Sequence, residues 1–146
     1  MKIVIDTNVA VSGLLWGGPP NEILKMARSR NLSILACDQT IQELKRALGY
    51  DKFRKRLADL QGSVESAYSY FMNLVFFVPG PKEVPEVILD DPFDNLFLAL
   101  AVENKASLIV SGDHHLLDLK KYKKIQIVRP SEACGILEAL LNRRPA

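Results

Sequence analysis

Short apolar runs alternate with helical segments along this chain, and that alternation limits the possible folds more than any other feature. The runs lie at residues 3–5, 32–36, 75–78, 107–110 and 125–128. Runs of this length are typical of strands that are buried on both faces of a sheet. The segments between them carry apolar residues mainly at helical spacing. Strands that alternate with helices predict a parallel sheet covered by helices on both faces.

The length and composition suit one domain. The 146 residues, 48% of them hydrophobic, can bury a sizeable core, and no repeat or linker marks a second domain. We therefore expect a single domain over residues 1–146, with a frayed tail at 142–146. Cys37 and Cys134 lack the spacing of a zinc site, so we expect reduced thiols in a cytoplasmic protein. No apolar run approaches the roughly 20 residues that span a bilayer, and no signal segment precedes the first strand.

An acidic residue follows the first predicted strand directly. Asp6 ends the run at residues 3–5, and a buried charge without a partner is costly. Open α/β sheets bind ligands at the carboxyl ends of their strands, so Asp6 predicts an acidic site with a bound cation. Asp113 follows the strand at 107–110 after two small residues. If these two strands are neighbours, the two carboxylates meet at one edge of the sheet.

Two more acids have suggestive positions, Asp94 in the first turn of a predicted helix and Glu43 in the middle of another. Taken alone, Asp94 could favour the positive helix end, Glu43 could pair with Arg46, and Asp113 could be a turn residue. Together they favour a cation, because two like charges ~4 Å apart repel by about 4 kcal/mol at an effective dielectric near 20. Oxygen ligands of this kind suit Mg²⁺ or Mn²⁺.

In this order along the chain, the four acids resemble the motifs of the PIN-domain nucleases. The matching segments are Asp6-Thr7-Asn8, Ile41-Gln42-Glu43-Leu44, Asp91-Pro92-Phe93-Asp94-Asn95 and Ser111-Gly112-Asp113. The resemblance extends from residue 2 to about residue 137. The stretches at 9–20 and 113–117 are most similar to the toxins of toxin–antitoxin pairs.

The resemblance implies a three-layer α/β/α sandwich around a parallel sheet of about five strands in the order 3-2-1-4-5. That order places Asp6 and Asp113 side by side. The implied function is that of an endoribonuclease that hydrolyses RNA phosphodiester bonds with one or two Mg²⁺ or Mn²⁺ ions, held by Asp6, Glu43, Asp94 and Asp113. An antitoxin protein and a second copy of the chain are the implied partners. His115 stands where many of these toxins carry another acid, which leaves the number of ions open.

Polar and basic residues around these acids have predicted supporting roles. Thr7, Asn8 and Ser111 are expected to orient the carboxylates or to contact phosphate. A basic cluster is expected to bind the RNA backbone through Lys45, Arg46, Lys52, Arg54, Lys55 and Arg56. For His114 and His115 a surface or packing role is favoured over catalysis, and for Trp16 a core or interface role over base stacking.

Two other functions compete with the nuclease. A magnesium-dependent phosphatase of the haloacid dehalogenase type also carries an Asp after its first strand, but it normally needs a second Asp where this chain has Asn8. A PIN-like module that binds RNA or protein without cleaving it is the other alternative. The presence of all four acids argues against a degenerate site, and their convergence in space would distinguish the two.

Overall fold

The computed structural model describes residues 1–29 and 31–141, so the predicted fraying at 142–146 lies outside the described residues. Within them, six strands form one sheet: β1 (Lys2–Ile5), β2 (Ser33–Ala36), β3 (Val75–Phe77), β4 (Leu108–Val110), β5 (Lys121–Tyr122) and β6 (Ile125–Val128). Their spatial order is β3-β2-β1-β4-β6-β5. Every neighbouring pair is parallel except β5 with β6, which is antiparallel. The predicted order is confirmed, and the short β5 is an additional edge strand that the sequence did not predict.

Helices cover both faces of the sheet. In the described part of the chain they are α1 (Thr7–Leu15), α2 (Pro19–Arg28), α3 (Asp38–Leu48), α4 (Arg54–Asp59), α5 (Val64–Leu74), α6 (Asp94–Glu103), α7 (His114–Leu117) and α8 (Pro130–Leu141). Ile3 and Ile5 of the central strand pack into a core with α1, α2, α3, α5 and α8. Val4, which points to the other face, packs with α6 and α7. The result is the expected three-layer α/β/α sandwich.

Helix α1 is a new element, because the sequence shows no helical period there. Val9, Ala10 and Val11 are all buried, so α1 lacks the polar face that marks a surface helix. Gly13 allows α2 to approach closely. A Cβ at this position would lie 2.8 Å from Leu24 Cδ1 and 2.9 Å from the carbonyl oxygen of Pro20.

Other element boundaries differ from the predicted ones. The run Gly17-Gly18-Pro19-Pro20 predicts a break between elements, but helix α2 begins within it at Pro19, because proline fits the first helical position. The region 51–76, predicted to be mainly helical, is interrupted between α4 and α5, where Gln61 adopts a positive φ of 54°. The sequence predicts Asp38 as the N-cap of the helix that follows β2, but the N-cap of α3 is Cys37, whose N–H donates to Thr40 Oγ1 at 3.0 Å.

The carboxyl ends of β1, β4 and β6 are held in register beyond the strands themselves. The N–H of Asp6 donates to the carbonyl oxygen of Val110 at 3.1 Å, and the N–H of Ser111 donates to that of Val128 at 3.0 Å. The first polar residues after β1 and β4 therefore lie side by side. In the described part of the chain, every helix is too short or too polar to cross a lipid bilayer.

Candidate metal centre

Asp6 lies between β1 and α1, and both oxygens of its carboxylate accept hydrogen bonds from the protein. The N–H of Val9 donates to Oδ1 at 2.8 Å and caps α1, and the hydroxyl of Ser111 donates to Oδ2. Burial raises the pKa of Asp6 above its usual value, and the hydrogen bonds from Ser111 and Val9 oppose that shift. Asp6 therefore also has a structural role, because its carboxylate caps a helix that the sequence did not predict.

Ser111 joins the two strand ends. Its buried hydroxyl donates to Asp6 and accepts the N–H of Asp113 at 2.9 Å. Asp113 in turn caps α7, since its Oδ1 accepts the N–H of His115 at 2.8 Å. Because β1 and β4 are neighbours, Asp6 and Asp113 lie at the same edge of the sheet, as the sequence predicted, and the hydroxyl of Ser111 contacts both residues.

Asp94, the first residue of α6, closes the site from the other side. It is buried, and its Oδ2 has no hydrogen-bond partner among the described residues. Burial, followed by the negative charges of Asp91 and Asp113, raises the pKa of Asp94 to about 8. Oxygens of Asp91, Asp94 and Asp113 lie within 4.8 Å of one another. Burial and the neighbouring negative charges therefore favour the protonated form of Asp94 when no metal is bound.

From the sequence, Asp91 could extend the acidic patch, but a loop or N-cap role is sufficient to explain it. The N–H of Asp94 donates to the carbonyl oxygen of Asp91 at 3.1 Å, and this turn brings both residues to the same side. In the sequence, the only sign that Asp91 belongs to the site is its position three residues before Asp94. That position indicates a site residue only in the fold, where Asp113 faces the same turn.

All four predicted acids line one cleft of about 240 Å³, together with Asp91. Glu43 reaches it from α3, outside the group of three close carboxylates. Its Oε2 accepts hydrogen bonds from Arg46 Nη2 at 2.6 Å and Nε at 3.1 Å. The cleft is thus acidic at its floor and carries a guanidinium group at its rim.

The chain matches the family of the PIN domain over residues 2–115, which is more than half of its length. It belongs to the PIN domain family. No curated protein matches the chain. PIN domains are generally metal-dependent nucleases that act on nucleic acids, so the family and the acidic cleft point to the same kind of chemistry.

The donor set of this PIN domain fits a small divalent cation. Carboxylate oxygens are the ligands that Mg²⁺ and Mn²⁺ prefer. Oδ2 of Asp94 is buried and has no hydrogen-bond partner in the part of the chain that the structure describes, and such a costly group would be satisfied by a cation. Asp91 and Asp113 supply the neighbouring oxygens, so these three residues can hold an ion with Asp6 beside them.

The predicted supporting residues have different positions. Thr7 and Asn8 line the cleft from the start of α1. Asn95 is buried: its amide oxygen accepts the N–H groups of Val87 and Ile88 at 3.2 and 2.8 Å, and its Nδ2 donates to the carbonyl oxygen of Ile88 at 2.8 Å. It therefore anchors the segment that leads to Asp91.

The side chains of the predicted basic cluster make different contacts. Lys45 points to α5, where Nζ lies 3.4 Å from Glu65. Arg54 pairs with Asp51 at 3.1 Å, and Lys55 is exposed. Arg46 is the member that lines the cleft, and Lys52 and Arg56 lie over aromatic rings.

The two histidines lie on the other side of Asp113. Their rings are 4.0 Å apart, and Nδ1 of His114 is 3.9 Å from Asp113 Oδ1. Nδ1 of His115 is 3.9 Å from Asp90 Oδ2. The pair with Asp113 is a second group of possible ligands, next to the three carboxylates.

Proposed function

We propose that this PIN domain is an endoribonuclease that hydrolyses RNA phosphodiester bonds with Mg²⁺ or Mn²⁺. The observation that carries the proposal is the carboxylate of Asp94, which is buried, partly unpartnered and grouped with those of Asp91 and Asp113. A fold gains nothing from gathering these charges unless a cation is present. The family, whose members are generally metal-dependent nucleases, supports the same function.

The residues of the cleft have distinct roles in this proposal. Asp91, Asp94 and Asp113 hold the metal, and a bound ion supplies a Lewis acid for phosphate oxygens and lowers the pKa of water. Asp6 lies beside them and adds negative charge, and Ser111 fixes its orientation. Arg46 presents a planar guanidinium group at the rim, which suits a phosphate of the substrate.

The cleavage assay uses end-labelled transfer RNA and messenger RNA fragments with Mn²⁺ or Mg²⁺. We expect products with 5′-phosphate and 3′-hydroxyl ends from the wild type, and no products from Asp94→Asn or Asp6→Asn. Asp59→Asn, which changes an exposed acid at the end of α4, is the matched control and should cleave normally. If the protein binds RNA but does not cleave it in either Mn²⁺ or Mg²⁺, the result would instead support the non-catalytic module.

We also infer that the nuclease is the toxin of a toxin–antitoxin pair in the cytoplasm. This rests on the resemblance of residues 9–20 and 113–117 to that subgroup. Induced expression of the wild type should arrest bacterial growth, and Asp94→Asn should not. Normal growth with a wild-type protein that cleaves RNA in vitro would contradict the toxin role and leave the nuclease in place.

A further inference from the structure

Three aromatic rings form a shelf beside the acidic cleft. In this aromatic shelf, which consists of Trp16, Tyr50 and Phe53, the central ring is Phe53. Tyr50 stacks on it with centroids 6.5 Å apart at 15°, and Trp16 meets it edge-on at 5.9 Å and 64°. Trp16 and Tyr50 are each 41% exposed. Large rings that remain this exposed side by side are typical of a binding surface.

Cations lie over the aromatic shelf. Lys52 Nζ is 5.2 Å from the ring centre of Phe53 and 6.0 Å from that of Tyr50. The guanidinium of Arg56 is 5.7 Å from the ring centre of Trp16, and its Nε donates to the carbonyl oxygen of Leu15 at 2.6 Å. This bond ties α4 to the end of α1, directly before Trp16, so the shelf is fixed by both helices.

The aromatic shelf is continuous with the cleft. Tyr50 belongs to the shelf and also lines the cleft, together with Arg46, Asp6 and Asp94. A chain with a phosphate at the acidic site therefore reaches the shelf through Tyr50.

We propose that the aromatic shelf binds unpaired bases of the nucleic acid whose phosphate lies in the cleft, a proposal that rests on the function given above. Aromatic faces with nearby cations suit single strands, because every base can stack on a ring while lysine and arginine hold the backbone. Lys52 and Arg56 provide those charges. A duplex, whose bases are already stacked on each other, cannot use the shelf. The sequence assigned Trp16 to a core or interface, because Tyr50 and Phe53 become its neighbours only in the fold.

Trp16 is the only tryptophan of the chain, so its fluorescence reports directly on the aromatic shelf. The protein carries Asp6→Asn, which prevents cleavage, and the probe is a short single-stranded oligoadenylate in Mg²⁺. We expect the probe to quench Trp16. An abasic strand of the same length and charge should bind about 10-fold more weakly and cause no quenching.

Substitutions at Tyr50 test the same proposal. Their affinity for a labelled oligoadenylate is measured by fluorescence anisotropy. In the Asp6→Asn background, Tyr50→Ala should weaken binding about 10-fold, since one stacking contact is lost, and Tyr50→Phe should retain it. The matched control is Tyr70→Ala, because Tyr70 on α5 is 42% exposed and does not line the cleft. It should bind like the parent protein.

Two results would contradict the proposal that the aromatic shelf binds bases. One is equal affinity of the Tyr50→Ala and Tyr70→Ala proteins for oligoadenylate, and the other is equal affinity of the Asp6→Asn protein for the abasic strand and for oligoadenylate. Both results are also expected if these rings dock a protein partner. The two proposals fail separately. A wild type that does not cleave RNA contradicts the nuclease, whereas binding that depends on Tyr50 would still support the shelf. A wild type that cleaves RNA while binding ignores Tyr50 contradicts the shelf alone.

Discussion

Asp6 and Asp94 are equally buried acids on two sides of one cleft, with exposed fractions of 3% and 6%, but their oxygens differ in what they contact. Both oxygens of Asp6 accept hydrogen bonds, from Val9 and from Ser111. Oδ2 of Asp94 has no partner among the described residues. Burial alone therefore does not identify a metal ligand. The oxygen without a partner is the better indication, because of these two acids Asp94 is the one that would gain a missing contact from a cation.

The pKa shifts of Asp6 and Asp94 also have different causes. Burial raises the pKa of both acids, but the hydrogen bonds of Asp6 work against the shift. At Asp94 the charges of Asp91, Asp113 and Asp6 all add to it. More negative charges therefore raise the pKa of Asp94 than that of Asp6, whose carboxylate is also stabilised by hydrogen-bond donors. The comparison predicts that Asp94 binds the ion and that Asp6 supports the binding.

Metal affinity should show the largest difference. Asp94→Asn should weaken Mn²⁺ binding roughly 100-fold or more, because it removes a direct ligand, and Asp6→Asn should weaken it only about 10-fold, as for a group that supports the ligands. Isothermal titration calorimetry of both proteins at one pH measures this. Asp59→Asn is again the control. Equal losses for Asp6→Asn and Asp94→Asn would place both acids among the ligands and remove the distinction.

The stability of the metal-free protein should rank the two acids in the opposite order. Asp6→Ala removes the cap of α1 and the partner of Ser111, so we expect it to lower the free energy of unfolding by about 2 kcal/mol. Asp6→Asn keeps an oxygen for the N–H of Val9 and should cost much less. Asp94→Asn should stabilise the metal-free protein near pH 7, because it removes an acid that must either take up a proton on folding or carry a charge next to Asp91 and Asp113. Urea unfolding with a chelator present measures all three, and a destabilised Asp94→Asn protein would contradict the assignment.

The sequence contained enough to predict the sheet but not the partners of each acid. The strands were predictable because their apolar runs are local, and the strand order then placed Asp6 near Asp113. Helix α1 was missed because it is buried along most of its length, which hides the helical period. Without α1, the capping role of Asp6 could not be seen. Asp91 joined the site only through a turn whose position depends on tertiary packing.

The pH dependence of stability should separate the sites further. The pKa of Asp94 rises from 3.8 to about 8 on folding, so the metal-free native state binds more protons between these values, and its free energy of unfolding falls as the pH rises through this range. We expect a fall on the order of 1 to 2 kcal/mol, less than the full shift implies, because the cleft is open to solvent. Urea unfolding from pH 5 to pH 8 measures it.

Two controls accompany the pH series. Asp94→Asn should flatten the slope, whereas Asp59→Asn should leave it unchanged. Saturating Mn²⁺ should reverse the slope, because the ion competes with the proton and binds more tightly at high pH. An Asp94→Asn protein with the wild-type slope would mean that Asp94 is already ionised in the metal-free fold.

Glu43 should give the smallest effect, because its carboxylate already has a partner. Arg46 donates two hydrogen bonds to Oε2, and the guanidinium of this pair is exposed, so Glu43→Gln should leave the melting temperature nearly unchanged. Mn²⁺ binding should weaken by less than about 10-fold, as expected for a residue near the ion that does not contact it. Arg46→Gln frees Glu43 and should tighten Mn²⁺ binding, because a positive charge leaves the cleft. If Glu43→Gln instead matches Asp94→Asn in calorimetry, Glu43 must leave Arg46 to bind the ion, and the site would then draw ligands from α3 as well as from α6 and the end of β4.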